Sequence, residues 1–496
     1  MELITCEKAF YLLIMTTMIS LPICELLVEQ HDRNFEGQPI IVEAAGIAGI
    51  VMVVGHLVIH KGISYYPTDV IYALLMIFCG LSLAMSENLL ASIQGYDYDE
   101  WLTHFMAYFS LMYAGTMVRD MKLRRNIVKA FIFVLVLQGG IGLLQSFGIE
   151  FTNCFFDSEF VTEHSWAYGL TPHFNWYAAL MTLASGCAMG IAIFAKERKR
   201  FLIFLGLSAL GVYALLATET RLALVSLAVL LLFFPVSLLI FRAVRKNREV
   251  FRLSMLRWLA VALVTVGIFA VLMFGFGRFK SEIADTLNEI GALSSSSSGQ
   301  ADTDSSQADD SSAADTDDSS ADDSSTADLN GFLGLDEDLG PYFADDTAIG
   351  HFANNRGHIW RYGLACVPDH WMFGVGLDNY RWCFSHAPDL PHNTWSQGKA
   401  HNEYIHYLVT QGAFQLLTYL SFIIYAFVVG IRTVLRTEDD ERRFMTWTLL
   451  AMFTAYVVQA LFNSSVVNIA PYFWITAGMV LCKDDQRPFG YRKSRS

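Results

Sequence analysis

The chain has 496 residues, of which 54% are hydrophobic and only 17% are charged. Water-soluble proteins of this size rarely have so apolar a composition, so we expect an integral membrane protein. The formal net charge of −14 gives no expectation of a nucleic-acid partner.

Twelve apolar runs follow one another along the chain, and each is long enough to cross a bilayer core of roughly 30 Å. The first run has neither the basic start nor the cleavage site of a secretory signal peptide, so we expect it to be retained as a helix. The pattern predicts an all-α integral membrane protein with about twelve transmembrane helices. The runs cover about 9–28, 40–59, 69–86, 101–118, 127–147, 175–195, 201–217, 222–241, 257–277, 403–431, 444–462 and 466–482.

One large extracytoplasmic loop is predicted between helices 9 and 10. Its segment 294–328 contains ten Asp and no Lys or Arg, so we expect it to be disordered and its deletion to be tolerated. A calcium-binding repeat is disfavoured there because regularly spaced glycines are missing. The segment 329–402 is rich in Trp, His, Phe and Gly and is expected to fold. The predicted organisation is helices 1–9 in 1–277, the loop in 278–402, helices 10–12 in 403–482 and a tail in 483–496.

The basic residues lie almost entirely on one alternating side of the predicted helices. Of the 34 Lys and Arg residues, 26 fall in connections or termini on that side. The positive-inside rule makes that side cytoplasmic, so both termini are expected inside and the protein in the cytoplasmic (inner) membrane. The eight basic residues predicted outside are Arg33, Arg221, Arg278, Lys280, Arg356, Arg361, Arg381 and Lys399.

The cysteine and histidine patterns give no expectation of a metal or another cofactor. None of the eight Cys lies in a C-x-x-C motif. His401 and His406 are five residues apart, whereas a zinc-binding helix places two histidines four apart. Two of the outside cysteines, Cys366 and Cys383, leave a disulfide open as an alternative.

Two outside arginines and one histidine are candidates for chemistry. Arg221 falls between predicted helices 7 and 8, where it would either bind an anion or pair with Glu219. Arg356 would either bind an anion or be solvated, and Arg361 is expected to be solvated. His401 begins a polar stretch at the start of an apolar run, where it is either a site residue or part of a solvated helix cap.

The stretch "NNRGHIWRYGLACVPDHWMFGVGLDNY", followed by "KAHNEYIHYLVTQGAFQLLTYL", resembles the O-antigen ligase and polymerase superfamily. Two upstream segments add to the resemblance: "AYGLTPHFNWYAALMTL" contains Asn175 and "TETRLALVSL" contains Arg221. The chain departs from the family pattern at Thr218, Glu219, Thr220 and Gln415. The matching positions in the loop and in the helix after it are Arg356, Trp360, Gly374, Gly376, Asn379, Tyr380, His401, Asn402, Tyr404 and Gly412.

The resemblance implies a metal-independent membrane glycosyltransferase. It would use an undecaprenyl-pyrophosphate-linked oligosaccharide as donor and a glycan as acceptor, both at the lipid bilayer. Its implied catalytic residues are His401, Arg356 and Arg221. Its implied substrate-binding residues are Asn175, Trp360, Asn379, Asn402, Glu403 and Tyr404.

Among the functions open to such a protein, we favour polymerisation of lipid-linked repeat units into a surface polysaccharide. A ligase that transfers the finished glycan to another acceptor is the alternative, and the motifs do not decide between them. A transporter without chemistry is disfavoured because few charged residues fall inside the predicted helices, where His104 is one candidate. A peptidoglycan polymerase is disfavoured because no acidic catalytic signature is found in a matching loop.

Overall fold

A computed structural model describes residues 2–27, 37–59, 65–95, 100–150, 165–280, 352–387 and 397–489, together with Ile283. Every regular element in these ranges is a helix. The acidic run 294–328 and the first part of the segment 329–402 lie outside the described residues.

Sixteen α-helices are described, and we number them α1 to α16 in chain order. A single π-helical turn, Val271–Gly275, extends α10. The helices are α1 (Glu2–Leu27), α2 (Gly37–Ile59), α3 (Pro67–Ala84), α4 (Leu89–Gln94), α5 (Leu102–Met117), α6 (Met121–Gln145), α7 (Phe174–Phe194), α8 (Arg198–Leu216), α9 (Arg221–Arg245), α10 (Arg248–Ala270), α11 (Phe352–Ala365), α12 (Val367–His370), α13 (Trp382–His386), α14 (Glu403–Arg436), α15 (Asp440–Gln459) and α16 (Ala470–Val480).

A helix lies at each of the twelve predicted membrane-spanning positions. Nine of the described helices are long and apolar enough to cross a membrane. The other three are α5 with 16 residues, α16 with only 11, and α15, which begins with four charged residues. The prediction of a multi-pass, all-helical membrane protein is therefore confirmed, whereas the count of twelve spans stays a prediction.

The connections between the helices fall into two sets at opposite ends of the bundle, as the charge pattern predicts. Ion pairs at one end join connections that the basic residues place on the same side. The other end gathers the starts of α7, α9 and α14. The pairs at the first end join Arg119 to Asp484, Arg125 to Glu441, Lys196 to Asp440, Arg245 to Glu438 and Arg442 to Asp485.

Helix α7 is enclosed by its neighbours, and small residues allow this close packing. A Cβ added to Gly190 would lie 2.4 Å from the Thr448 hydroxyl on α15. Van der Waals contact between closely approaching helices replaces the hydrophobic effect as the main attraction inside a bilayer. The C-terminal half of α7 thereby packs closely against α15.

Helix α14 is broken at Gly412, which has φ +82° and ψ 177°. The segment 371–376 inserts at the break, and its backbone groups replace hydrogen bonds that the helix loses there. A Cβ on Gly412 would lie 2.2 Å from the Met372 carbonyl oxygen, so the insertion requires glycine. The replacing bonds run from Val375 N to Val409 O (2.9 Å), from Gly376 N to Thr410 O (3.0 Å) and from Ala413 N to Trp371 O (2.7 Å).

Candidate active site

Three helices present their N-terminal ends to the candidate site, and a side chain caps each end. His173 accepts a hydrogen bond from the Asn175 N–H at 3.0 Å to cap α7, and Thr220 accepts one from the Ala223 N–H at 3.2 Å to cap α9. Asn402 caps α14 by accepting from two backbone N–H groups at 3.0 and 3.1 Å. A helix N-terminus carries partial positive charge, so all three ends favour an anion.

Helix α11 carries Arg356 over these helix ends. The Arg356 guanidinium donates to the carbonyl of Phe462, in the connection between α15 and α16. One turn further along α11, Trp360 Nε1 donates to the Ala400 carbonyl at 2.8 Å, directly before His401. Two predicted site residues therefore dock α11 against the connections that frame the site.

The two predicted catalytic arginines lie near each other. Burial lowers the pKa of Arg356 to about 10, and the positive charge of Arg221 lowers it further in the same direction. Like charges disfavour each other's charged form, so such an effect requires proximity. Arg361, one turn away on the same helix, is exposed.

Two histidines share this positively charged environment. Burial first and the charge of Arg356 second lower the pKa of His401 well below its usual value of 6.5, and His173 and Lys399 act in the same direction. The same two causes lower the pKa of His173 to about 3. Both imidazoles are therefore neutral at physiological pH. Arg356 therefore lies within electrostatic range of Arg221, His401 and His173, and the catalytic roles of Arg221, Arg356 and His401 stay predictions.

Contacts on both sides fix the backbone around His401, whose φ of +49° lies in the left-handed region. Before it, the buried Lys399 forms an ion pair with the buried Glu100, and the Tyr108 hydroxyl donates to Glu100 at 3.2 Å. After it, the Glu403 N–H donates to the Ala460 carbonyl at 2.8 Å. A non-glycine residue persists in this backbone region where its surroundings over-determine it.

Several residues predicted to bind substrate have hydrogen-bond partners within the protein, and substrate binding by these side chains stays a prediction. The Asn379 amide donates to Ser86 Oγ at 2.7 Å and to the Asn88 carbonyl at 3.1 Å, which ties its loop to the segment after α3. The Tyr404 hydroxyl donates to the Val457 carbonyl at 2.7 Å. Trp360 donates to the Ala400 carbonyl, and Asn402 caps α14, as described above.

Glu403 and Asn175 differ from that group. The Glu403 carboxylate is buried in α14, where one oxygen accepts from the Tyr419 hydroxyl at 2.9 Å. Its second oxygen has no hydrogen-bond partner among the described residues. Asn175 is partly buried in the first turn of α7, next to the capping His173. Substrate binding by these two side chains stays a prediction.

Three residues of the site and its support were not assigned from the sequence. His173 stands in "TPHFNWY", where Pro172 and the following apolar periodicity signal a helix start but not the identity of its cap. Lys399 was counted among the outside basic residues, and its pairing with Glu100 joins positions about 300 residues apart. Such distant contacts leave no local pattern in one sequence.

Glu219, considered above as a partner for Arg221, forms an ion pair with Arg278 at 3.0 Å. Cys366 and Cys383, considered for a disulfide, lie adjacent in the core of the loop region, with Cys366 Sγ 3.9 Å from the Cys383 carbonyl oxygen. Both are free thiols in the structure. Within the described residues, no three His, Cys, Asp or Glu side chains form a group that could hold a metal ion.

The fold and the site define a multi-pass helical membrane protein with a cationic, histidine-containing site at the ends of its helices. The family model described as O-antigen ligase matches residues 204–420. This segment includes Arg221, Arg356 and His401, and it confirms the resemblance to the O-antigen ligase and polymerase superfamily. The family implies a glycosyltransferase-like activity with a lipid-linked glycan and an acceptor as substrates. A comparison with curated proteins finds no significant match.

Proposed function

We propose that the protein is a membrane glycosyltransferase that polymerises undecaprenyl-pyrophosphate-linked repeat units on the extracytoplasmic side of the cytoplasmic membrane. The observation that carries the proposal is that Arg356 lies within electrostatic range of both Arg221 and His401, all three within the segment that matches the O-antigen ligase family.

The arginines suit a pyrophosphate leaving group. A guanidinium stays charged and can hold two phosphate oxygens through parallel N–H donors. As the bond between the anomeric carbon and the phosphate oxygen breaks, the pyrophosphate gains negative charge. Arg221 and Arg356, together with the three helix N-termini, would stabilise that charge as it develops.

His401 suits the role of general base. A hydroxyl oxygen of the acceptor glycan attacks the anomeric carbon, and its proton passes to the imidazole. The depressed pKa keeps the imidazole neutral and thus able to accept a proton. A bound pyrophosphate would offset the charge of Arg356 and raise the basicity of His401 in the complex, when the proton has to be taken up.

The site lies at the depth where a lipid head group would be. Apolar spans begin at Arg221 and Glu403, so the neighbouring side chains fall at the end of the membrane-crossing region. An isoprenoid carrier could keep its chain in the bilayer while its pyrophosphate enters the site. The excess of basic residues at the opposite end supports an extracytoplasmic location.

A ligase is the second candidate, because the matching family model is described as O-antigen ligase. The two functions differ in the acceptor. A polymerase elongates a glycan that remains on the lipid pyrophosphate, whereas a ligase transfers it to a different molecule.

To distinguish a polymerase from a ligase, the purified protein is reconstituted in liposomes with lipid-pyrophosphate-linked repeat units alone. Gel separation of labelled products should show a ladder that remains attached to the lipid. A ladder would support polymerisation, and products formed only after a separate acceptor is added would support the ligase. No transfer under either condition would contradict the proposed chemistry.

A further inference from the structure

Resting on the proposed function, we propose that the connection between α15 and α16 binds the sugar residue next to the pyrophosphate, through the side chains of Ser464 and Asn468. This connection, residues 460–469, lies beyond the segment 204–420 that matches the family model. The ligand would be a neutral sugar that is recognised through its hydroxyl groups.

Hydrogen bonds tie the α15–α16 connection to two parts of the candidate site. The Phe462 carbonyl accepts from the Arg356 guanidinium on α11. The Ala460 carbonyl accepts from the N–H of Glu403, at the start of α14, at 2.8 Å. The connection therefore lies between the arginine that would hold the pyrophosphate and the helix that follows His401.

A third hydrogen bond ties the end of α15 to α9. Gln459 Oε1, directly before the connection, accepts from Ser226 Oγ at 2.9 Å. Ser226 lies in the second turn of α9, the helix that begins with Arg221. The connection is thus held beside the elements that carry all three predicted catalytic residues.

The α15–α16 connection is buried although it is not helical. Residues 463–469 are all buried and contain no regular helix. Within the part of the chain that the structure describes, the backbone N–H groups of residues 463–468 donate to no backbone carbonyl. Buried backbone groups are nearly always paired, so the connection has donors available for a further partner.

Two side chains of the connection are also left with unused polar atoms. Ser464 and Asn468 are each 3% exposed. Neither the Ser464 hydroxyl nor either polar atom of the Asn468 amide has a hydrogen-bond partner among the described residues. Unpaired buried polar groups are costly to a fold and are rare, so a partner from outside the protein would account for them.

The chemistry of these groups favours a sugar over a phosphate. Asn468 presents both an acceptor, Oδ1, and a donor, Nδ2, and the Ser464 hydroxyl can do either. A fully ionised phosphate only accepts, so it would leave Asn468 Oδ1 unpaired, whereas sugar hydroxyls both donate and accept. Residues 460–469 contain no charged side chain, which also fits a neutral ligand.

Ser464→Ala and Asn468→Leu test the proposal, because each removes polar atoms that have no described protein partner. Without substrate, the thermal midpoint of each variant in detergent should stay or rise. With lipid-pyrophosphate-linked repeat units, kcat/KM for transfer should fall roughly 2- to 10-fold in each variant, as expected for one neutral hydrogen bond. The control is Thr446→Val, which removes a buried α15 hydroxyl that likewise has no described partner; its kcat/KM should equal that of wild type.

A binding measurement separates the sugar from the pyrophosphate. Undecaprenyl pyrophosphate without sugar should raise the thermal midpoint equally in wild type, Ser464→Ala and Asn468→Leu. The repeat unit on the same carrier should raise the midpoint further in wild type, and this additional rise should shrink in both variants. A smaller response of the variants to the sugar-free carrier would make the connection a phosphate contact and overturn the assignment to a sugar.

Two other results would overturn the inference. One is wild-type kcat/KM with an undiminished additional rise in both variants. The other is a lower midpoint of both variants without substrate, which would give these side chains a role in stability. If Asn468→Leu does not fold, Ser464→Ala decides by the same criteria. If the wild type transfers no glycan but shows the additional rise, and the variants lose it, the proposed function fails while the sugar site stands.

Discussion

Arg221 and Arg356 lie close enough together that the charge of Arg221 lowers the pKa of Arg356. Arg221 is the first residue of α9, and Arg356 is the fifth residue of α11. Two guanidinium groups repel each other, and a diphosphate bound between them would convert this repulsion into attraction.

Arg221→Lys and Arg356→Lys should each lower the transfer rate although the charge is kept, because an ammonium cannot form the bidentate fork. Loss of one charged hydrogen bond costs about 1.5–3 kcal/mol, which corresponds to roughly one to two decades in rate. The measurement is product formed per minute from a lipid-pyrophosphate oligosaccharide.

The matched control is Arg361→Lys, on the same helix but exposed; it should be nearly silent. If Arg361 proves essential and Arg356 dispensable, the family motif has been aligned with the wrong arginine of α11. Full activity of Arg221→Lys would leave Arg221 a structural role.

The pH dependence of transfer should reveal the charge near His401. Since the pKa of His401 lies well below 6.5, its neutral form persists as the pH falls, and kcat/KM should decline only below pH 6.5. Arg356→Gln removes one of the positive neighbours that depress this pKa, although the burial of His401 and the charge of Lys399 remain. The acid limb of its slower reaction should therefore move to higher pH. An acid limb that stays in place in Arg356→Gln would argue that a group other than His401 is titrated.

Gly412→Ala should destabilise the protein and reduce transfer. Its φ of +82° is strained for alanine, and the new Cβ would meet the Met372 carbonyl oxygen at 2.2 Å. We expect a loss of about 1–3 kcal/mol, seen as a lower thermal midpoint in detergent. Gly206→Ala in α8 is the control, because nothing lies within 4 Å of its added Cβ; it should be neutral or slightly stabilising. Equal midpoints for the two variants would mean that the inserted loop adapts freely.

We expect the buried ion pair between Lys399 and Glu100 to hold the backbone around His401 in place. Lys399→Met leaves an unpaired buried carboxylate, and such a loss typically costs about 3–5 kcal/mol. Adding Glu100→Gln removes the charge and should recover part of the midpoint. A double variant no more stable than Lys399→Met would contradict this role of the pair.

The sequence was sufficient to predict the elements that depend on local pattern. Each apolar run coincides with a helix, because a bilayer forces every spanning segment to satisfy its own backbone hydrogen bonds. The alternation of Lys and Arg also predicted which connections meet. The length of α16, only 11 residues, was not predicted, because Val466, Val467 and Ile469 continue the apolar run before the helix begins.

The site was predicted in part, through the spacing of Arg356 and His401 and the position of Arg221. The sequence could not show which polar groups already have hydrogen-bond partners within the protein. Asn379 matches a motif position, but its bonds to Ser86 and Asn88 connect it to a segment almost 300 residues earlier. His173 belongs to the site only because the fold places the start of α7 near Arg356.

In the proposed mechanism, His401 takes the proton of the acceptor hydroxyl while undecaprenyl pyrophosphate leaves. The most direct measurement is the amount of undecaprenyl pyrophosphate released and of glycosidic bond formed by His401→Ala, compared with wild type and with His386→Ala, an exposed histidine in α13. We expect His386→Ala to form as much of each product as wild type does, and His401→Ala to form neither product at an unchanged level of membrane-inserted protein. Wild-type product length and yield from His401→Ala would contradict this role of His401.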